Sequence, residues 1–476
     1  MSIYSEIQQA FPQLTLADIS DYYSYEIEPA KKIYQGKPPW RRVKSSGIKK
    51  KTRDRSLLNM AKVVCDKMAA LTFSEQCDIK CSDEKYQEFV LNTLENNAFW
   101  AKLPEWFSRA FALGGGIIKL NIINDEISLD YLNADTFVPT RWNNRRILDG
   151  IFRSGYVRNG KRYSIFERRF LDENGSHIEY SVWESDSKST LGSPVSINTI
   201  FKGTPDKTDF NSIKTPLFVY FKPAIGNNKC FDIPLGLPIF ANCYDTLEEI
   251  DIVFDSLQRE FILGKKRIII PEEFIKYVFD SKSGEETRYF DADDEVYQAL
   301  SGSNTDKFHI TDSSVNLRVQ EHLEALHNLL DILGMQLGLS SGSLAYDKSD
   351  GLKTATEVVA NERDTMRTVE NQKNIVTECI EELCEAIIAA YSAIHNEPIR
   401  KNTVTVSWQD NVISDDDTRI QQNIELVNAG LRSKKRALMD INGYTDEGAK
   451  EELAEIAGES SSGGGSIDAL LGGSDE

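Results

Sequence analysis

Three long amphipathic patterns between Pro238 and Ile394 constrain the fold of this chain more than any other feature. Their apolar residues recur at alternating steps of three and four, which keeps the side chains on one helix face. The first seam consists of Phe240, Cys243, Leu247, Ile250, Phe254, Leu257 and Phe261. The second consists of Val319, Leu323, Leu326, Leu330, Leu333 and Leu337, and the third of Val376, Ile380, Leu383, Ile387, Ala390 and Ile394. Because each seam is narrow, we predict rods that pack on neighbouring helices.

The first two rods enclose a compact insert. We predict helices over 238–264 and 317–337 that run antiparallel, with residues 265–316 between them as a small α+β unit. A strand at 267–270, a helix start at 271–274 and a strand near 307–310 are its expected elements.

A polar segment separates the second and third rods. Residues 338–353, GLSSGSLAYDKSDGLK, are too rich in glycine and polar side chains for a helix interior. Thr354 and Glu357 form a capping box that starts the third helix, predicted over 354–396. We expect a kink in its less apolar stretch between Asn361 and Asn374. The pattern therefore predicts a flexible polar loop held by rigid helices.

The first 237 residues are predicted to form a mixed α+β region. Short helices with a break at Pro12 are expected near the N-terminus, and longer helices over 59–73 and 83–113. Glycines 114–116 precede a strand rather than a helix, so they predict a tight turn and not a phosphate loop. Asn159-Gly160 and Asn174-Gly175 predict type I′ turns within a three-stranded meander over about 150–184.

The C-terminal region contains an alternating strand and short helices. Thr403 to Trp408 alternates as a strand should, and helices are expected up to Asn428 and over 433–440 and 445–457. Residues 458–476 are rich in serine and glycine, which predicts a disordered tail.

The stretch from Lys31 to Lys67 is strongly basic, with thirteen lysines and arginines against Asp54 and Asp66. Such a stretch can contact a polyanion or an acidic neighbouring subunit, or it can be a solvated surface loop. The sequence leaves these interpretations open.

Composition narrows the functional class. The 476 residues have a formal net charge of −19, which disfavours tight nucleic-acid binding but allows nucleic acid to pass without being held. The seven cysteines are odd in number and irregularly spaced, as expected of reduced structural thiols. With no signal peptide and no apolar membrane span in the sequence, we expect an intracellular protein that is not membrane-bound.

The sequence lacks the common catalytic motifs. It has no P-loop, no HExxH and no GxSxG, and His322 and His327 are five residues apart, too far round a helix to form a metal pair. The acidic run Asp291, Asp293, Asp294 and Glu295 could serve a two-metal nuclease, but a solvated acidic surface is the favoured interpretation. We therefore predict no catalytic residue, no metal and no cofactor.

The order of these parts resembles the portal proteins of tailed bacteriophages, especially long-tailed phages of Gram-positive hosts. The resemblance extends from about Asn59 to Gly458. The segments that carry it are ALGGGIIKLNI (112–122), YLNADTFVPTRW (131–142), PLGLPIFANCYDTLEEIDIVFDSLQREF (234–261), GLSSGSLAYDKSDGLKTATEVV (338–359) and SWQDNVISDDDTRIQQNIELVNAG (407–430).

The resemblance implies a mainly helical α+β fold with portal architecture, in a ring-shaped oligomer of typically twelve subunits. It implies the following segments: a wing over 1–237, stem helices over 238–264 and 317–337, a clip over 265–316, a tunnel loop over 338–353, a long wing helix over 354–396, and a wing strand with a short crown over 397–457.

The same resemblance implies function. Double-stranded DNA would pass through the ring during packaging and ejection. Expected partners are further copies of the chain, the terminase large subunit, a head-completion adaptor, and the major capsid and scaffolding proteins, with no membrane. The expected location is the virion portal vertex after assembly in the host cytoplasm.

Specific residues follow from the same implied segments. The residues expected to face DNA in the tunnel loop are Ser340, Ser341, Tyr346, Asp347, Lys348, Asp350 and Lys353. The residues expected to dock partners at the clip are Lys265, Lys266, Arg267, Glu272 and Glu273. A ring-forming scaffold of a defective prophage and a metal-dependent nuclease remain as alternatives.

Overall fold

The computed structural model describes residues 3–16, 19–44, 52–74, 77–123, 125–144, 146–187, 190–264, 268–269, 276–279, 286–289, 311–312, 316–344, 355–400, 402–408, 416–442, 444 and 446–462. The chain divides into two compact units. One comprises residues 1–348 and 364–407, and the other comprises residues 349–363 and 408–476.

Twelve α-helices lie within the described residues. They are α1 (Ile3–Ala10), α2 (Ser20–Tyr22), α3 (Glu28–Tyr34), α4 (Met60–Thr72), α5 (Glu84–Asn96), α6 (Phe99–Leu113), α7 (Tyr244–Leu263), α8 (Val319–Gln336), α9 (Ala355–His395), α10 (Asp416–Asn428), α11 (Lys434–Asn442) and α12 (Asp446–Ser462). A π-helical segment, Tyr23–Ile27, joins α2 to α3. The mixed α+β class predicted from sequence is confirmed.

The described strands are β1 (Arg42–Lys44), β2 (Thr52–Asp54), β3 (Cys77–Cys81), β4 (Gly116–Ile123), β5 (Glu126–Asn133), β6 (Phe137–Trp142), β7 (Ile147–Arg158), β8 (Lys161–Leu171), β9 (Ser176–Ser185), β10 (Ser193–Val195), β11 (Lys207–Phe210), β12 (Phe218–Phe221), β13 (Ile268–Ile269), β14 (Lys276–Phe279), β15 (Glu286–Tyr289), β16 (Thr311–Asp312) and β17 (Val404–Trp408). The largest sheet has the order β10-β9-β8-β7-β6, with β11 also paired to β9. A second sheet has the order β12-β4-β5, and β17 pairs with β3.

An aromatic core forms where α6 meets the smaller sheet. Trp106, Phe107 and Phe111 of α6 are buried and surround Phe221 of β12, with ring centroids 4.6–6.2 Å from it. Burial of such large aromatic side chains is a major stabilising contribution. The core therefore fixes the helix that immediately precedes the triple glycine.

The triple glycine makes the predicted tight helix-to-strand turn. Gly114 has φ +71° and ends α6, a conformation that disfavours residues with a Cβ atom. A Cβ on Gly115 would lie 2.2 Å from the hydroxyl oxygen of Tyr220 and 2.9 Å from the backbone oxygen of Phe221, so this position has no room for a side chain. The phosphate-loop alternative was correctly rejected.

The three-stranded meander is confirmed, but its two turns differ. Asn159 and Gly160 have φ of 52° and 79°, as a type I′ turn requires. The second turn was predicted wrongly, because β8 and β9 are joined by the four residues from Asp172 to Gly175. The Asp172 carboxylate accepts hydrogen bonds from the backbone N–H of Asn174 (2.7 Å) and of Gly175 (3.0 Å), which organises the longer turn.

Helix α7 begins six residues later than predicted. Residues 239–243 carry the apolar spacing of the seam, but Phe240, Ala241 and Cys243 are buried in the core as a series of turns. Ile239 donates its backbone N–H to the Phe111 carbonyl (3.0 Å) instead of entering a helix. The twenty residues of α7 therefore form a rod of about 30 Å.

Helices α8 and α9 agree closely with their predicted spans. α8 covers Val319–Gln336, and α9 covers Ala355–His395 as one helix of 41 residues. Val376, Leu383 and Ile387 of the third seam are fully buried. Thr354 of the predicted capping box lies outside the described residues, and the kink remains a prediction.

The insert between α7 and α8 contains short antiparallel strand pairs. β13 pairs with β16, and β14 pairs with β15. The strand expected at 267–270 is confirmed at Ile268–Ile269, whereas the strand expected near 307–310 is found at Thr311–Asp312. The helix start at 271–274 lies outside the described residues.

The second unit contains α10, α11 and α12. The side chain of Arg432, in the turn before α11, donates to the Asn423 side chain of α10 (2.5 Å) and pairs with Asp440 of α11. Helix α12 continues to Ser462, so residues 458–462 are helical and not disordered as predicted. The good helix formers in its earlier turns allow propagation into the serines, while residues 463–476 lie outside the described part.

All seven cysteines are free, and five of them are buried. Burial raises the pKa of Cys77 to about 12 and of Cys243 to about 11, so these thiols stay protonated and unreactive. The prediction of reduced structural thiols is confirmed. Among the described helices, none is sufficiently long and apolar to cross a membrane.

Candidate functional site

The two rods α7 and α8 form an antiparallel pair that is tied at both ends. At one end the Thr246 hydroxyl donates to the Gln336 side chain (3.0 Å). At the other end the Arg318 guanidinium donates to both carboxylate oxygens of Glu260 (3.1 and 3.0 Å). Because Thr246 starts α7 and Gln336 ends α8, these bonds confirm the predicted antiparallel arrangement.

Part of the apolar surface of these rods is left uncovered in the single chain. Leu330 and Leu333 of α8 are buried. At the end of α7 nearest the insert, however, Phe261, Ile262 and Leu263 are 50%, 55% and 53% exposed. A patch of this kind is typical of a surface that meets another protein or another copy of the chain.

Helix α8 ends in a motif that redirects the chain. Gly338 has φ +69°, and the Leu339 N–H donates to the Gly334 carbonyl (2.8 Å), as in a Schellman cap. A Cβ on Gly338 would lie 2.7 Å from the Thr368 hydroxyl oxygen of α9. The predicted tunnel loop therefore starts at a rigid turn packed against α9.

The first residues of the predicted loop are tied to α9 rather than free. The Ser340 backbone N–H donates to the Thr365 hydroxyl oxygen (2.8 Å), and the Ser340 and Thr365 hydroxyls bond to one another (3.0 Å). The Thr368 hydroxyl donates to the Gly338 carbonyl (2.6 Å). Ser340 is only 5% exposed and its hydroxyl bonds to Thr365, while its DNA-facing position stays a prediction.

Two further contacts hold residues 341–343. The Gly342 N–H donates to the Asp331 carboxylate of α8 (2.9 Å), and Ser341, which is exposed, bonds to the same oxygen (3.4 Å). The Lys67 ammonium of α4 donates to the Ser343 carbonyl. The segment up to Ser343 is thus a fixed base, and the flexibility predicted for 338–353 does not extend to it.

The remaining predicted site residues cannot be placed. Tyr346, Asp347, Lys348, Asp350 and Lys353 of the loop lie outside the described residues. The same holds for the clip residues Lys265, Lys266, Arg267, Glu272 and Glu273.

Part of the basic stretch forms an arm that binds to α7 through hydrogen bonds and ion pairs. We define the basic arm as the described residues 37–44 and 52–59, which include the paired strands β1 and β2. Its Trp40 indole N–H and its Leu58 backbone N–H each donate to the Asp251 carboxylate, both at 2.9 Å. Asp251 is 5% exposed, and burial raises its pKa, while these donors oppose the rise.

A second buried carboxylate of α7 holds the arm more strongly. The Arg53 guanidinium donates to both oxygens of Asp255 (2.7 and 2.6 Å), and the Ser56 N–H donates to one of them (3.1 Å). The hydrogen bonds from Arg53 lower the pKa of Asp255, so it stays ionised. Arg55 adds a longer ion pair with Glu248 (3.6 Å).

These contacts revise the interpretation of the basic stretch. Several of its charges neutralise carboxylates of the same chain, including Lys31 beside Asp135 (2.5 Å). Asp251 and Asp255 were missed from sequence, although two acidic residues four apart on the polar side of a seam helix signal a possible anchor. Arg42 and Lys44 remain exposed and point to a further role.

The described residues contain no group of three or more histidine, cysteine, aspartate or glutamate side chains placed to hold a metal ion. The acidic run at 291–295, which prompted the nuclease alternative, lies outside them.

Comparisons with known proteins bear on the whole chain. A family model described as phage portal protein, SPP1 Gp6-like, matches residues 15–463. The virion of a native gene transfer agent particle contains a chain that is 10% identical, with a TM-score of 0.41, and the match covers 80% of this chain and 88% of that one. The neck of that native particle, computed with C12 symmetry, contains a chain 11% identical, with a TM-score of 0.39 and the same coverages. No curated protein matches.

Proposed function

The chain belongs to the SPP1 Gp6-like family of phage portal proteins, and from this premise we propose how its parts form and serve the portal. It is a portal vertex protein of the virion. The proposal concerns the assembly, the segments that line the channel, and the partners.

We propose that twelve copies form a closed ring around a central channel for double-stranded DNA. The observation that carries this proposal is the rod pair α7 and α8, whose apolar surface is incompletely covered by its own chain. Phe261 and Ile262 on α7 and Met335 on α8 (71% exposed) are the large apolar residues that neighbours in a ring would cover.

The proposed segments follow the structure along the chain. The wing comprises 1–237 with the long helix of 354–396. The stem comprises the rods within 238–264 and 317–337, whose helical parts are α7 and α8. The clip is 265–316, the tunnel loop is 338–353, and the crown lies in the helices after residue 410.

The stem orients the two ends toward different partners. The clip, on the far ends of α7 and α8, would meet the terminase large subunit during packaging and the head-completion adaptor afterwards. Capsid and scaffolding proteins would contact the wing. The charge of −19 suits a channel through which DNA must slide, because tight phosphate binding would brake it. We propose that the ring has no catalysis of its own, and a metal-dependent DNA cleavage assay on purified ring tests this.

We propose that the tunnel loop meets DNA beyond Ser343. Residues 340–343 are bonded to α8, α9 and α4, and these contacts hold the base of the loop. Lys348 and Lys353 are the lysines of the loop beyond Ser343 and would make transient phosphate contacts, while Asp347 and Asp350 limit their strength.

Replacing both Lys348 and Lys353 by alanine tests the loop. We expect DNA retention in filled heads to fall by roughly tenfold, because many copies in the ring lose a phosphate contact together. The measurement is the nuclease-protected DNA in purified heads, with K202A/K222A, two exposed wing lysines, as the matched control. Packaging and retention equal to the wild type would overturn the lysine contacts while leaving the portal function intact.

A further inference from the structure

The rod pair presents two different outer sides. Glu248, Asp251 and Asp255 of α7 hold the basic arm, and helical spacing places them on one side of that helix. Thr246 and Glu260, which bond to α8, lie on the nearly opposite side of α7. The layer formed by α7 and α8 therefore carries the arm on one side and the outer surface of α8 on the other.

The arm side is positively charged at its surface. The Arg42 side chain is 79% exposed, and Lys37 and Lys44 are exposed as well. Arg42 lies 3.7 Å from the exposed Asp54 carboxylate, which is the kind of surface pair that contributes little stability. The arm itself is held firmly by Asp251 and Asp255, so its charges are presented on a fixed scaffold.

The outer surface of α8 is negatively charged. Leu326, Leu330 and Leu333 are buried on one side of the helix. Glu321, Glu324 and Asp331 lie on the opposite side of the helix and are exposed, and they are joined there by Met335. We call these four residues the α8 outer face.

We propose that the basic arm of one subunit docks on the α8 outer face of the next subunit in the ring. This inference rests on the proposed ring, in which side-by-side copies bring unlike sides of the layer together. Such a contact is heterologous, the kind that closes into a ring when the rotation is right. Copies that each carry a charge of −19 repel one another overall, so a locally complementary contact favours correct association.

The position of the basic arm favours a neighbouring subunit over a polyanion as its binding partner. The arm is fixed to the side of α7 that lies away from α8. On the other side of the same layer, the α8 outer face supplies carboxylates of opposite charge. Met335 adds an apolar contact to the same face, which a neighbouring protein can cover and a phosphate backbone cannot use. Binding of DNA by the arm is therefore the competing outcome of the test.

Charge reversal in both surfaces tests the contact. The arm variant is R42E/K44E and the face variant is E321K/E324K, each in the full chain. In a ring of the arm variant alone, a negative arm would meet a negative face at every subunit interface. In a ring of the face variant alone, a positive arm would meet a positive face. In a mixture, the two variants can alternate around the ring, so that every interface joins opposite charges. We expect each variant alone to form at least about tenfold fewer rings than the wild type at physiological salt, and the mixture to restore them.

Ring formation is measured by mass photometry and negative-stain electron microscopy. The control is R162E/K202E, which reverses two exposed basic residues of the wing. Circular dichroism of each variant checks that it is folded. Failure of the mixture to assemble, with both variants folded, would overturn the inference.

Rings formed normally by the arm variant alone would also overturn it, and a simultaneous loss of DNA binding would assign the arm to DNA. Either result leaves the portal function standing, since the wild type still forms rings. A wild type that never forms rings would overturn the proposed assembly together with this contact.

Discussion

At the scale of single residues, a cluster of charged side chains stabilises the edge of the large sheet. His177 of β9 is 5% exposed and lies between Asp209 of β11 (2.5 Å) and Asp172 of the preceding turn (2.8 Å). Its ring stacks on Phe170 with centroids 4.9 Å apart. Lys207 also belongs to the cluster, 3.0 Å from Asp209. The cluster ties β11 to the turn that replaced the predicted two-residue hairpin.

The charges set the direction of each pKa. Burial by itself would lower the pKa of His177, but hydrogen bonds to Asp172 and Asp209 outweigh it and the pKa is raised. The hydrogen bond from His177 and two backbone N–H groups lower the pKa of Asp172 to about 2. Stabilisation by His177 is complete below its unfolded pKa of about 6.5 and is lost as pH rises through the folded value. Stabilisation by Asp172 is complete above its unfolded pKa of about 3.9 and is lost as pH falls toward 2.

We therefore predict that the β9–β11 edge is most protected between about pH 4 and pH 6.5. Hydrogen exchange of residues 207–210, corrected for intrinsic rates, should show increasing opening as pH rises above this window. H177Q should lose that rise in opening, because a neutral side chain has no charge to lose. D172N serves as the matched variant and should retain it through Asp209. Identical pH dependence in H177Q and the wild type would refute the role of His177.

Sequence reasoning was least effective at this scale. Ser340 was expected to face DNA because it lies in the segment that resembles the tunnel loop of portal proteins. Its partner Thr365 lies 25 residues away, on a helix face that periodicity marks only as polar. The role of Asp255 was not predicted for the same reason, because its partner Arg53 is 202 residues distant in the sequence. Local patterns give the type of residue but not the long-range partner that decides its role.

At the scale of elements, helix α7 makes different contacts on two of its faces. Leu247 and Ile250 of its seam are buried, while Asp251 and Asp255 hold the basic arm. The seam was predicted correctly from Leu247 onward because burial on one face imposes a helical period. The start was predicted too early because burial in the core gives residues 239–243 the same apolar spacing without a helix.

Removing one charge from the anchor tests its contribution. We expect D255N to lower the opening free energy of the arm by about 1–3 kcal/mol, because the Arg53 charge loses its buried partner. The Arg53 side chain is 38% exposed, so water moderates the loss. The measurement is hydrogen exchange over residues 52–58. E249Q, at an exposed position of the same helix, is the control; equal protection in D255N and E249Q would contradict the anchor.

At the scale of the whole molecule, the sequence predicted the order of parts better than their contacts. Narrow helical seams, Asn-Gly turns and strand alternation are local signals, and they identified the rods, the meander and the C-terminal helices. The surfaces between copies are not encoded in local periodicity. They emerge only when exposed apolar residues such as Phe261 and Met335 are seen on opposite parts of the rod pair.

As proposed above, this portal chain assembles as a ring with α7 and α8 at its channel. Electron cryomicroscopy of the purified wild-type protein tests it most directly. We predict closed rings with a central hole, in class averages that place the rod pair at the channel wall and the insert at one end. Compact monomers that do not assemble at any concentration, or rings with α7 and α8 at the outer rim, would contradict the claim.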